Sequence, residues 1–100
     1  MVTKQKPGIL KGITVLDLTR MLSGPYCTMM LADHGAEVIK IESKAGDTSR
    51  ANGPYREDDP GREWAGYFVS LNRSKKSVQL DLKTSLGKHN FQELVKTADV

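Results

Sequence analysis

The fold is decided by residues 13–42, which read ITVLDLTRMLSGPYCTMMLADHGAEVIKIE. Residues 13–18 and residues 37–42 are rich in β-branched and aliphatic side chains and predict two strands. Between them, residues 26–34 carry an apolar body of Met, Leu and Ala and predict a helix. The stretch therefore predicts a strand, a helix and a second strand in that order.

The flanks of the predicted helix support this order. Pro25 stands near its first residue and Gly35 follows its last, which is typical of a helix start and a helix stop. The connection is long enough for a right-handed crossover, so the two strands are expected to be parallel. Apolar side chains on both sides of the first strand indicate a sheet covered on both faces. We therefore expect an α/β fold with a parallel sheet.

The second half of the chain adds a loop, a strand and a helix. Residues 43–65 are rich in Gly, Pro, Asn and Asp, which predicts a long loop of the kind that is often functional. Residues 67–71 fit either a short strand or the start of a helix. Residues 76–82 alternate polar and apolar side chains and predict a third strand. Thr84 is a typical cap for a last helix over residues 84–97.

The end of the sequence predicts an unfinished element. The last helix is expected to bury one apolar face, which comprises Leu86, Phe91, Leu94 and Val95. Residues 98–100, which follow it, look like the first residues of another buried strand. We therefore expect a loose polar lead over residues 1–8 and an incomplete domain over residues 9–100.

Composition excludes several classes of protein. The chain has 100 residues, of which 38% are hydrophobic and 27% are charged, so it predicts one small globular domain and not a disordered tail. The formal net charge of +3 is too small to indicate a nucleic-acid partner. No stretch approaches the roughly 18 apolar residues of a membrane span, so no membrane partner is expected. The single cysteine, Cys27, cannot form an intramolecular disulfide and fits a reducing compartment.

Two segments carry groups that favour an anionic ligand. The turn over residues 18–25 joins a strand end to a helix start, where unpaired N–H groups attract anions; a simple tight turn is the alternative. The run over residues 72–77 holds Arg73, Lys75 and Lys76 beside three small polar side chains, a set that suits phosphate. A solvated charged loop is the alternative for this run.

The other chemically active side chains are isolated in the sequence. Asp47 is expected to organise a turn by accepting backbone N–H bonds, with a catalytic role as the alternative. Asp17, at a strand end, fits a cap or an ion pair better than a nucleophile. His34 and His89 have no ligand partners nearby, so we expect no metal site. Cys27 is expected to be buried against its helix neighbours.

Four segments in order resemble one known family. They are LKGITVLDLTRMLSGPYCTMMLADHGAEVIKIE, GDTSR, YFVSLNRSKKSVQLDLKTSLGK and TADV, and together they resemble the amino-terminal part of the class III coenzyme A transferases. That family includes formyl-CoA, carnitine and succinate–dicarboxylate CoA transferases and the 2-methylacyl-CoA racemases. The R-x-L-x-G-P turn and the N-R-x-K-K-S run are most similar to the succinyl-CoA:dicarboxylate (glutarate-type) branch.

The resemblance implies a fold and a reaction. It implies that residues 9–100 are the amino-terminal portion of a large Rossmann-like domain, in a protein that forms an intertwined homodimer. The family moves coenzyme A from an acyl-CoA to a carboxylic acid through an aspartate nucleophile, without a metal or a prosthetic group. That aspartate is expected downstream of the chain end, so no catalytic residue is assigned and the chain alone is expected to be inactive. The cytoplasm is the expected location, with the mitochondrial matrix as the alternative.

The resemblance also assigns coenzyme A contacts at three places. Several family members have arginine where this chain has Ser43 and glutamine where it has Leu22, so the contributions of these two side chains differ here. The implied contacts are the turn residues Leu22 and Ser23, the strand-end residues Ser43 and Lys44, and the stretch Leu80, Asp81, Leu82 and Lys83.

Three alternatives remain open from the sequence. The chain fits a 2-methylacyl-CoA racemase-type member, whose base pair would lie downstream. It also fits a non-catalytic module that binds coenzyme A or a nucleotide. A nucleic-acid binder would rest on Arg73, Lys75 and Lys76 alone, and its affinity would fall steeply with salt.

Overall fold

Three parallel strands form a sheet in the order β1–β2–β3 in the computed structural model, which describes residues 8–100. Strand β1 spans Thr14–Asp17, β2 spans Glu37–Glu42 and β3 spans Lys75–Gln79. Helix α1, Ser23–Asp33, connects β1 to β2, and the parallel pairing expected for these two strands is confirmed. The polar lead expected over residues 1–8 lies, apart from its last residue, outside the described residues.

Further helices follow the second strand. A short 3₁₀ helix, Thr48–Ala51, lies within the segment that was expected to be a loop throughout. Helix α2 spans Gly66–Leu71, so the helical alternative for this stretch is the correct one. Helix α3 spans Ser85–Val95 and begins at the expected cap, since the Thr84 side chain accepts a hydrogen bond from the Gly87 amide.

One face of the sheet carries both the apolar core and a polar region. Val15 and Val38 are paired in register and pack with Ala32 and Ala36 to form the hydrophobic core. Two residues further along the strands, the same face carries buried charged side chains, and the first of them is Asp17, opposite Lys40. The face is therefore apolar near the amino ends of the strands and polar near their carboxyl ends.

Helix α1 packs on the rest of the protein through one narrow stripe of buried side chains. Its buried residues recur at the spacing of one helix face and are Pro25, Thr28, Met29 and Ala32. Cys27 lies off this stripe and is exposed, so the expectation that it is buried was wrong. The helix begins at Ser23, earlier than expected, because the Tyr26 amide already donates to the Leu22 carbonyl at 2.9 Å.

The opposite face of the sheet is only partly covered by the described residues. Leu16 and Ile39 point to that face and are half-buried. In α3, Leu86 is 70% exposed and Val95 is 48% exposed, so the expected burial of an apolar helix face was wrong for these two side chains. The expectation of a sheet covered on both faces is thus met on the α1 side only.

Two chain boundaries follow from strand pairing. Strand β3 ends at Gln79, earlier than expected, because β2 ends at Glu42 and its carbonyl accepts the last ladder bond, from the Leu80 amide. At the other edge of the sheet, the amides of Asp99 and Val100 donate to the Thr14 carbonyl at 2.8 and 3.2 Å. The last residues therefore begin to pair with β1, but residues 98–100 form no regular strand and Val100 is 72% exposed; the buried strand expected from the sequence stays a prediction.

Candidate functional site

A cavity of about 260 Å³ lies at the carboxyl ends of the three strands. This is the edge of a parallel sheet at which α/β proteins bind their ligands. The segment after β1, the end of β2 and the segment after β3 all contribute to its wall. The lining residues are Leu18, Arg20, Ile41, Glu42, Ser43, Leu80, Asp81, Leu82 and Lys83.

The segment after β3 is shaped by its own side chains. The Asp81 carboxylate accepts a hydrogen bond from the Lys83 amide at 3.0 Å. The Asp81 carbonyl accepts from both the amide and the hydroxyl of Thr84, the residue that caps α3. Because the turn and the helix cap share these bonds, the backbone of Lys83 is held at the edge of the cavity.

Gly87 allows α3 to approach this turn closely. A Cβ atom at this position would lie 1.9 Å from the Asp81 carbonyl oxygen, so any side chain there forces the turn and the helix apart. We expect Gly87→Ala to lower the free energy of unfolding by about 1–3 kcal/mol through this overlap. Urea unfolding followed by circular dichroism measures the change. Leu86→Ala, at an exposed neighbouring position, is the control, and an equal effect of the two substitutions would contradict the prediction.

The turn after β1 is anchored from the sheet below it. The Asp17 carboxylate accepts from the Thr19 amide at 2.8 Å and also from the Thr19 hydroxyl. The Lys40 ammonium group donates to the Thr19 carbonyl at 3.1 Å. The Asp47 carboxylate accepts from the Met21 amide at 3.3 Å. Buried charged groups thus fix the backbone on both sides of Arg20.

Three ion pairs form the polar region on the face of the sheet that α1 covers. The Nζ atom of Lys40 lies 2.9 Å from an oxygen of Asp47, and each side chain is 1% exposed. The other two pairs are Lys75 with Asp17, at 3.0 Å, and Arg50 with Glu42, at 2.8 Å. The expectation that Asp17 takes part in an ion pair is therefore confirmed.

Asp47 also organises its own turn. Its carboxylate accepts hydrogen bonds from the amide and the hydroxyl of Ser49, both at 2.9 Å, which confirms the turn expected from the sequence. Burial opposes the charged form of Asp47, but the Ser49 bonds and the Lys40 ammonium outweigh it and lower the pKa to about 2. Asp47 is therefore a charged structural anchor at neutral pH.

Glu42 lines the cavity, but neighbouring protein groups compensate the negative charge of its carboxylate. Burial opposes its charged form, but hydrogen bonds from Arg50, from Ser77 and from the Asp47 amide outweigh it and lower the pKa to about 2. Arg50 binds both carboxylate oxygens, at 2.9 and 2.8 Å, a forked geometry that is among the strongest of such contacts. The Glu42 carboxylate is thus occupied by protein partners.

The structure brings most of the sequence-assigned coenzyme A contacts together. Five of them line the cavity: Ser43, Leu80, Asp81, Leu82 and Lys83. The remaining three are exposed and do not line it: Leu22, Ser23 and Lys44.

The three cations assigned as phosphate contacts lie towards the amino end of β3, away from the cavity. The ammonium group of Lys75 donates to Asp17, to Asn72 and to the Pro25 carbonyl, so no N–H group is left for a phosphate. Arg73 is paired with Asp33 at 2.8 Å, and Lys76 with Glu37 at 3.5 Å. The last two cations are exposed, but each already has a carboxylate partner.

Sequence reasoning assigned no role to Arg20, which the structure places in the cavity wall. The available signal was its position, since it follows the first strand directly and therefore stands at the ligand-binding edge of a parallel sheet.

Within residues 8–100, no group of three or more His, Cys, Asp or Glu side chains is arranged to hold a metal ion. In the same part of the chain, the helices are too short or too polar to cross a membrane.

The fold and the sequence together identify the family. In α/β proteins with parallel sheets, a cavity at the strand ends is the usual ligand site, and here it joins apolar side chains with two cations. The sequence profile of CoA-transferase family III matches residues 10–100. The chain belongs to this family, which confirms the resemblance found in its motifs.

The relatives are much longer than this chain. Succinyl-CoA:mesaconate CoA-transferase of Haloarcula hispanica is 50% identical over 93 residues, which are 93% of this chain and 24% of the relative. Succinyl-CoA:glutarate CoA-transferase of Homo sapiens is 46% identical over 92 residues, which are 91% of this chain and 20% of the relative. The chain therefore spans about a quarter or less of the length of these curated relatives.

A solved structure shares the fold. The crystal structure of a CAIB/BAIF family protein from Brucella suis matches with a TM-score of 0.85 and 40% identity, over 94% of this chain and 25% of that chain. This match and the three-stranded parallel sheet confirm the α/β fold class expected from the sequence.

Proposed function

We propose that this chain supplies the amino-terminal part of the coenzyme A site of a CoA-transferase. The observation that carries the proposal is that Ser43 and the stretch from Leu80 to Lys83 line the same cavity; these are residues to which the family resemblance assigns coenzyme A contacts. At about 260 Å³, the cavity is smaller than the roughly 300–1,000 Å³ that drug-sized ligands occupy. It would therefore hold one portion of the coenzyme A molecule.

The chemistry of the cavity wall fits this ligand class. The apolar side chains of Leu18, Leu80 and Leu82 offer contact area, while the Ser43 hydroxyl and the Lys83 ammonium offer hydrogen-bond donors. Phosphate groups bind such donors strongly, because charge-assisted hydrogen bonds are about twice as strong as neutral ones.

The proposed reaction moves coenzyme A from an acyl-CoA of the succinyl-CoA type to a carboxylic acid acceptor. An aspartate carboxylate would attack the thioester and release the coenzyme A thiolate, forming a mixed anhydride; the thiolate would then attack the aspartyl carbonyl, forming an enzyme thioester and releasing the donor acid as its carboxylate. The acceptor carboxylate would attack this enzyme thioester and release the thiolate again, and the thiolate would attack the acceptor carbonyl of the second anhydride, giving the new acyl-CoA and the free aspartate. No residue of this chain is assigned as that nucleophile. The names of the relatives from Haloarcula hispanica and Homo sapiens support a succinyl-CoA donor. An intertwined homodimer is part of the proposal.

The proposal is tested by binding of coenzyme A to the chain. We expect Lys83→Ala to raise the Kd for coenzyme A about tenfold in isothermal titration calorimetry, because it removes one charge-assisted contact. Lys88→Ala is the matched control: Lys88 is exposed on α3 and does not line the cavity, and its substitution should leave the Kd unchanged. No binding by the unaltered chain, or equal weakening by the two substitutions, would contradict the proposal.

A further inference from the structure

Arg20 lines the cavity without a partner for its charge in the described part of the chain. It is exposed, and its guanidinium group makes no hydrogen bond or ion pair with residues 8–100. Each of the other four arginines has a partner within the protein. Three form ion pairs and the fourth lies over the ring of Tyr55; they are Arg50, Arg56, Arg73 and Arg62.

The backbone that carries Arg20 is held firmly. Met21 adopts a left-handed conformation with φ of 71°, which is strained for a residue other than glycine and persists only when its surroundings impose it. Here the Met21 amide is bound by Asp47, and the Thr19 carbonyl is bound by Lys40. Because Lys40 and Asp47 are a buried pair, the turn is fixed in place while the Arg20 side chain stays open to a ligand.

Neither acidic side chain of the cavity forms an ion pair with Arg20. Glu42 is bound by Arg50 and Ser77, and Asp81 accepts a hydrogen bond from the Lys83 amide. The cavity therefore presents an unpaired arginine from the β1 side and a lysine from the β3 side.

We propose that Arg20 is a ligand-binding residue that receives an oxyanion of the acyl-CoA in this cavity. The inference rests on the proposed function and deepens it. A guanidinium group binds the two oxygens of a carboxylate or a phosphate at once, which a lysine cannot do. In a dicarboxylic acyl-CoA, that oxyanion is either the unesterified carboxylate of the acyl group or a phosphate of coenzyme A.

The test compares Arg20→Gln with the unaltered chain on three ligands. Succinyl-CoA carries the extra carboxylate, butyryl-CoA has the same chain length without it, and coenzyme A has no acyl group. We expect Arg20→Gln to raise the Kd for succinyl-CoA at least tenfold in titration calorimetry. An effect confined to succinyl-CoA assigns the carboxylate to Arg20, and an equal effect on all three ligands assigns a phosphate. Unchanged Kd values for all three ligands would overturn the inference.

Further variants separate a binding role from a structural one. Arg20→Lys keeps the charge but loses the forked contact, so it should recover only part of the affinity. Arg62→Gln, at an exposed arginine outside the cavity, should bind all three ligands normally. If the unaltered chain binds none of them, the proposed function fails and the inference fails with it. If the unaltered chain binds and Arg20→Gln binds equally well, only the inference fails.

Discussion

Asp17→Asn is expected to lower the free energy of unfolding by about 3–5 kcal/mol, because it leaves the buried Lys75 ammonium without its charge partner. The two side chains are 0% and 2% exposed, so water cannot replace the lost contact. Asp17 also accepts from Thr28 at 2.6 Å and from the amide of Thr19, so the substitution disturbs the link from β1 to α1 and to the turn after β1. Urea unfolding followed by circular dichroism measures the loss.

A surface pair and a double substitution provide the controls. Asp58→Asn removes the partner of Arg56 in an exposed ion pair, and such pairs contribute only about 0–1 kcal/mol. Combining Asp17→Asn with Lys75→Met removes the unpaired charge and should restore part of the lost stability. A loss for Asp17→Asn no greater than that for Asp58→Asn would show that the buried pair does not stabilise the fold.

Acid is expected to unfold the chain through Glu42 and Asp47. In the folded chain the pKa of each falls to about 2, from ordinary values of 4.5 and 3.8. At pH values between the folded and the ordinary pKa of each group, the unfolded chain binds more protons than the folded chain. Stability should therefore be complete above about pH 5 and decrease as the pH falls towards 2. Each carboxyl group should contribute a slope of about 1 kcal/mol per pH unit within that window.

Urea midpoints measured between pH 7 and pH 3 test this dependence. Glu42→Gln removes one of the two groups whose pKa falls to about 2, so its stability should fall less steeply with acid than that of the unaltered chain. Glu63→Gln is the control, because Glu63 is exposed and forms no ion pair with the described residues; its profile should match the unaltered chain. Identical slopes for Glu42→Gln and the unaltered chain would contradict the assignment.

Local features were predictable because neighbouring residues decide them. The helix cap at Thr84 and the turn at Asp47 each depend on side chains and amides within three residues of each other. β-branched and aliphatic composition located the first two strands and alternation located the third, although β3 ends earlier than expected. That boundary depends on the length of β2, which is its partner in the sheet.

The partners of charged residues were much harder to predict. Lys75 belongs to a run of cations that suits phosphate, yet its three N–H groups are bound within the protein. One of those partners, Asp17, lies 58 positions earlier in the sequence. A charged run in a sequence shows its composition but does not show which of its members will be buried by a neighbouring strand.

The sequence by itself determined the α/β class, the parallel strands and the family, because hydrophobic periodicity, turn residues and ordered motifs are properties of adjacent positions. Only the tertiary structure decided which side chains share the cavity. Arg20, Ser43 and Lys83 are far apart in the chain, and they meet because the carboxyl ends of parallel strands lie at one edge of the sheet. The same packing placed Lys75 beside the Asp17 carboxylate and left Arg20 without an ion pair in the described part of the chain. Which cation receives a carboxylate partner depends on contacts between distant segments, so the sequence alone does not show it.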